Sequence, residues 1–135
     1  MRYAPYPSEA RAVPSMSDGE LLDYFLLRVF ETEEVWMLKN GDAPLLRESG
    51  GQLRLPLWPY RQFADEALAA LGKPAEAVAQ SLEFFLEDTL LWLIDDDIGI
   101  EIMPRLQSPG CLITPHRVLS VIEGMIDAGD YHMDS

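Results

Sequence analysis

Apolar side chains near the start of the chain recur at a helical interval. Leu21, Leu22, Phe25, Leu26, Val29 and Phe30 trace one stripe of a 3.6-residue repeat. Ser17 and Glu20 precede it at capping-box spacing, so the hydroxyl can accept from the Glu20 amide while the carboxylate reaches back. A helix opening at Ser17 is predicted. Burying each stripe residue is worth about 1.5–3 kcal/mol. Fixing each residue's backbone costs about 1–2 kcal/mol. Such a helix needs a sheet to lie on.

The period then drops to two. Val35-Trp36-Met37-Leu38 reads as a strand ending at Asn40-Gly41, a dipeptide that favours a hairpin. A weaker strand near Pro44 to Arg47 leads to a second turn at Gly50-Gly51. From Leu53 to Trp58 the alternation is clean, with Leu53, Leu55 and Leu57 on one side and Arg54, Pro56 and Trp58 on the other. Pro56 has no amide hydrogen, which places it at an edge or facing away from the ladder. A three-stranded meander is expected.

From Tyr60 the helical period returns. Phe63, Ala64, Ala67, Leu68 and Leu71 form a stripe that stops at Gly72, with Pro74 beyond. Residues 75–80 are ambiguous, with room for a short strand around Val78. Ser81 has the character of an N-cap for a helix carrying Leu82, Phe85, Leu86, Leu90 and Leu93. Ile98 to Ile102 alternates as a half-buried strand, which Pro104 ends. Pro109-Gly110 turns the chain into a short strand, Cys111-Leu112-Ile113. Thr114-Pro115 then opens a last helix bearing Val118, Leu119, Ile122, Met125 and Ile126, with Gly129 as its stop. Residues 1–16 show no sustained period and are expected to form an extended arm. The order of elements predicts a single α+β domain over residues 17–135. Its mainly antiparallel sheet has about 4–5 strands, with helices packed on one face.

Composition narrows the function classes. The 135 residues suit one domain, and 48% apolar with 24% charged residues is a globular mix. Asp and Glu number 23 against 10 Lys and Arg, a formal charge of −13. Direct nucleic-acid binding is thereby disfavoured, because it depends on cations displacing counterions from phosphate. No apolar run reaches the roughly 20 residues that span a bilayer. Pro5, Pro7 and Pro14 interrupt Met1 to Ser15, so no signal pattern is expected there. Cys111 is the single cysteine, which excludes an internal disulfide and suggests a reducing, cytoplasmic setting.

Several segments together resemble a known family. They are Tyr24-Phe25-Leu26, Glu31-Thr32-Glu33-Glu34-Val35-Trp36, Leu55-Pro56-Leu57-Trp58-Pro59 with Phe63-Ala64, Phe85-Leu86-Glu87, and Gly110 and Pro115 before the final helix. In these the chain is similar to the bacterial domain of unknown function 2750. The resemblance implies a small α+β domain of undefined activity, with no catalytic residues to carry over.

The candidate chemistry is sparse. Asp95-Asp96-Asp97 suggests a docking patch for a basic partner, although a solvated loop explains it as simply. A calcium loop opening at Asp95 would need Gly and Glu where Ile100 and Leu106 stand. Cys111 and His116 flank a helix start, where a thiolate gains from the dipole. A lone Cys on an apolar strand is more often a small buried hydrophobe. His116, His132 and one Cys do not make a zinc spacing, and no metal or cofactor is expected. Trp58 and Tyr60 stand at a strand-to-helix junction, with Trp58 sharing the outward face of Arg54, and tryptophan, tyrosine and arginine are the residue types enriched at binding hot spots. The alternative for Trp58, as for Trp36 and Trp92, is a ring covering the edge of the core.

The sequence therefore points to a protein-interaction module of adaptor or inhibitor kind. Arg54, Trp58, Tyr60, Asp95, Asp96 and Asp97 are its candidate contacts and a basic protein its expected partner, with a homodimer left open. A small enzyme using Cys111, His116 and Asp97 is the alternative, and a nucleic-acid mimic the third reading.

Overall fold

A computed structural model describes residues 4–105 and 109–128. The chain forms one compact α+β domain with two small, mostly antiparallel sheets. Along the sequence run α1 (Pro7–Ala12), α2 (Asp18–Thr32), β1 (Glu34–Asn40), β2 (Ala43–Pro44), β3 (Arg47–Ser49) and β4 (Gln52–Leu57). There follow α3 (Arg61–Leu71), β5 (Glu76–Ser81), α4 (Leu82–Phe84), α5 (Leu90–Asp95), β6 (Gly99–Ile102), β7 (Cys111–Ile113) and α6 (Pro115–Asp127).

Helix ends follow the local signals. Ser17 Oγ accepts from the Glu20 amide and Glu20 Oε1 accepts from the Ser17 amide, so the capping box of α2 is complete. Ser81 accepts from the Phe84 amide, Thr114 caps α6, and α3 stops at Gly72. Gly129, the expected stop of α6, lies outside the described residues. Segment 82–95 is one continuous helical run with a π turn over Phe85–Thr89. The wider turn keeps Leu82, Phe85, Leu90 and Leu93 on the buried side although Phe85 and Leu90 are five apart. Thr89, buried at the end of that turn, donates its hydroxyl proton to Gln80 Oε1 at 2.6 Å.

Residues 4–16, the described part of the expected extended arm, depart from that expectation. Pro7–Ala12 is helical, with proline at the first position where its missing N–H is harmless. Glu9 accepts from the Tyr24 hydroxyl at 2.8 Å and from Arg28 Nε at 3.2 Å, fastening this helix to α2. Val13 behind it is buried.

The meander is also different from the expected one. The first hairpin, β1–β2, lies in a sheet of order β2-β1-β5, whereas the second, β3–β4, lies in a sheet of order β3-β4-β6-β7. Central strand β4 pairs with β6 in parallel, Arg54 opposite Gly99 and Leu57 opposite Ile102. Pro56 is tolerated inside this sheet because β3 runs beside β4 only as far as Arg54, leaving that flank of the proline open. The sheets meet at a bridge between Trp36 and Trp58, which exchange backbone hydrogen bonds of 2.9 Å. Val78 belongs to a full strand, β5, paired antiparallel along β1.

Strand β6 is not half-buried. Gly99, Ile100, Glu101 and Ile102 are all buried, because helices cover one face and the chain's own arginines cover the other. Helix α2 packs on β1, β6 and β7, and α6 against α5.

Candidate functional site

Alternation along β3, β4 and β6 brings Arg47, Arg54, Pro56, Trp58, Gly99 and Glu101 to one face of the larger sheet. On this face the Glu101 side chain is 0% exposed. A carboxylate so placed must be matched by charge and hydrogen bonds. Arg47 Nη2 donates to Oε2 at 3.3 Å and the Gly110 amide donates to the same oxygen at 2.8 Å. Arg47 Nε lies 2.8 Å from Oε1, off the line a hydrogen bond requires. Gly110 has no alternative at this point: a Cβ there would stand 2.2 Å from the Ile102 carbonyl oxygen.

Arg54 crosses the sheet beside this pair. Its Nε donates to the Ser49 carbonyl at 2.9 Å, and its Nη1 donates to Ile100 O at 3.2 Å and Ile113 O at 3.4 Å. The guanidinium rests on Gly99, where a Cβ would come within 2.8 Å of Nη1. Arg105 is a third such brace. Its Nη1 donates to Pro14 O and Met16 O and its Nη2 to Pro109 O, tying the segment after α1 to the strand end.

Next to these braces a groove runs along α3 in two adjoining halves of about 420 Å³ and about 430 Å³. Trp58, Ala67, Pro104 and Arg105 line both. The first half is closed by Val13, Phe63 and Met103, the second by Leu38, Leu45, Leu46 and Leu71. Met103 adopts φ 55°, a left-handed conformation unusual for a bulky side chain, and turns the chain so that Pro104 reaches the groove floor. Arg47, Lys73 and Arg105 supply the cations of the second half, against Glu48.

The sequence-derived candidates do not assemble into one site. Trp58 shares the face of Arg54 as the alternation requires, yet it is only 3% exposed. Its face is covered by the chain itself: the ring lines the groove floor and Nε1 donates to Pro104 O at 3.4 Å. Tyr60 is 1% exposed, with its ring 6.2 Å from Phe63. Neither presents an exposed aromatic surface, and Trp58 takes the alternative place, covered at the edge of the core. Asp95, Asp96 and Asp97 are exposed and serve the helix end: Asp96 accepts from Trp92 Nε1 at 2.8 Å and Asp97 turns the chain at φ 55°. Among the described residues no three His, Cys, Asp or Glu side chains converge on a metal-sized site. Cys111 is buried, and burial first, then the charge of Asp18, pushes its thiol pKa up, opposite to what a nucleophile needs. His116 stands exposed on the first turn of α6.

Sequence reasoning missed Glu101, Arg47 and Arg105. A signal existed for Glu101, a single charge within Ile98-Gly99-Ile100-Glu101-Ile102 beside a glycine. Its partner lies 54 positions away, beyond any local pattern. Trp36, half-buried, carries the Arg61 guanidinium 5.9 Å above its ring centroid. Among the described residues no helix is long and apolar enough to cross a membrane.

No curated protein and no solved structure matches the chain. The family described as protein of unknown function (DUF2750) matches over residues 22–122, a span that includes both sheets and the whole of α3, and the chain belongs to it.

Proposed function

From that family membership, which brings no activity with it, we propose that the protein is a non-catalytic interaction module. Its docking surface is the groove along α3. The observation that carries this reading is the state of the polar groups around the groove. Arg47, Arg54 and Arg105 are engaged by Glu101 and by backbone carbonyls, so they brace the walls rather than converge on a reacting atom. What stays open is concave and mainly apolar, with Glu48, Glu66 and Lys73 along it, and within the 300–1,000 Å³ range of ligand pockets. Rigid walls favour binding because little ordering entropy is lost on association.

A photo-crosslinking amino acid placed in the cell at Ala70, an exposed residue on the groove rim, tests this directly. A discrete crosslinked protein from position 70, and none from the same probe at Asp96, is expected. Crosslinking from Asp96 alone would move the docking surface to the aspartate corner and its basic partner. Turnover of a metabolite, lost in Cys111→Ala, would replace the module with an enzyme.

A further inference from the structure

Among the described residues the two sheets end in four edge strands, β2, β3, β5 and β7. Three of these span only two or three residues, which is one way a fold keeps an edge from recruiting another chain. Strand β5 is different. Its six residues, Glu76–Ser81, pair with β1 without a bulge and contain no proline and one charge, Glu76. Its outward backbone groups follow from the ladder. Trp36 directs both its N–H and its C=O to Trp58, so the Trp36–Ala79 pair exchanges no hydrogen bond, while Val35–Gln80 and Met37–Val78 do. The N–H and C=O of Ala77 and Ala79 therefore point away from β1, and among the described residues no strand takes them up.

We propose that β5 is completed by β5 of a second copy of this chain, antiparallel about a two-fold axis at Val78. The result is a six-stranded sheet of order β2-β1-β5-β5-β1-β2. The outward groups fit their own copy: Ala77 and the partner's Ala79 exchange both hydrogen bonds, and the two-fold repeats the pair, so the contact is isologous and closes. The side chains agree with that register. Half-buried Val78, beside the buried Met37, meets the partner's Val78 across the axis, and Glu76 faces the partner's Gln80. Gln80 Oε1 already accepts from Thr89, so Nε2 is the end left to donate to that carboxylate. The charges at the strand ends agree as well. Lys73 precedes β5 and Glu83 follows it, both exposed, so antiparallel self-pairing brings each cation toward the partner's acidic end. The rest of the −13 charge is kept off the edge, since Glu76 is the sole ionised side chain from Ala75 to Leu82. No residue of β5 lines the groove, so this pairing holds or fails independently of what docks there.

Sedimentation velocity of the full chain from micromolar to submillimolar concentration reads this out. A reversible shift toward twice the 15.2 kDa chain mass is expected. Ala77→Pro removes an N–H that points away from β1 and so spares the internal ladder. It should weaken dimerisation about tenfold or more, because the two-fold loses the bond twice. Val78→Lys, which opposes two cations across the axis, should do the same, and Asp96→Asn should change nothing. Circular dichroism and thermal melting show which variants are folded. Where one is not, cysteine substitution decides. Directly opposed residues of a non-hydrogen-bonded pair have Cα atoms about 4.5 Å apart, within disulfide reach. Mild oxidation should therefore link two chains through Val78→Cys. It should not link them through Ala77→Cys, whose own mate lies two positions along, nor through the buried Cys111 of the wild type. A monomer throughout, a dimer that either folded variant leaves intact, or linkage through Ala77→Cys rather than Val78→Cys would each overturn the pairing. So would a photo-crosslinking residue at Glu76 that captures a different protein in the cell while the purified chain stays monomeric, which assigns the edge to that protein's strand.

Discussion

Glu101 and the run Asp95 to Asp97 are four carboxylates within seven positions, yet they live in opposite environments. Glu101 lies in a central strand with no exposure, held by Arg47 and the Gly110 amide. The three aspartates are exposed at the end of α5, where Asp96 accepts from Trp92, Asp97 turns the chain in a left-handed conformation, and the Asp97 carbonyl accepts from Gln52 Nε2 at 3.0 Å. The run catches the eye in the sequence but sits where water screens each charge. The single glutamate among isoleucines is inconspicuous, and removing its partner strands a charge out of water. Burial, not charge density, decides which acid matters to the fold.

The strongest way to break this contrast is Gly110→Ala. A Cβ 2.2 Å from the Ile102 carbonyl forces β6 and the Glu101 acceptor site apart. A loss of about 4 kcal/mol or more, or failure to fold, is expected in denaturant titration. Next comes Arg47→Ala, expected to lose about 3 kcal/mol, the low end for a broken buried pair because water can follow the vacated half-exposed stem. The double variant Arg47→Met, Glu101→Leu should recover most of that loss. If it does not, desolvation is not the origin of the effect.

A buried acid and its partner elsewhere sharpen the comparison. The Tyr24 hydroxyl is buried and donates to Glu9, and burial first, then that hydrogen bond, raises its pKa above the ordinary value near 10. In the unfolded chain the phenol ionises from about pH 10, while in the folded one it stays neutral. Its contribution is therefore complete below pH 10 and declines as pH rises beyond it. Alkaline melting should show this slope, and Tyr24→Phe should flatten it at a cost of about 1 kcal/mol near neutrality. The smallest effect belongs to the aspartates. Asp95→Asn removes a negative charge from a helix C-terminus and should stabilise by about 0.3–0.5 kcal/mol, an effect that salt diminishes. A loss above 1 kcal/mol would show that the run is built into the fold after all.

The parts legible in the sequence are those whose causes lie within a few residues. Ser17 with Glu20, Ser81, Gly72 and Thr114-Pro115 mark helix ends because a cap is made by neighbours in the chain. The alternation from Leu53 to Trp58 correctly divides the side chains between two faces. It is silent on what covers each face, so it leaves Trp58 open between a contact surface and a ring covering the edge of the core, and the structure buries it. The candidate site fared worse for the same reason. The groove needs Val13, Trp58, Ala67 and Pro104 to meet, and these come from four separate stretches.

The amino-acid order by itself determined the α+β class, the positions of most helices and strands, and the negative exterior, because periodicity, caps and net charge are local or additive properties. The tertiary structure alone decided that two hairpins part into different sheets, that β4 takes β6 as a parallel neighbour, and that Glu101 becomes a buried anchor. Those outcomes depend on desolvation and packing between residues 46 to 54 positions apart, and no local pattern encodes what will exclude water from a side chain.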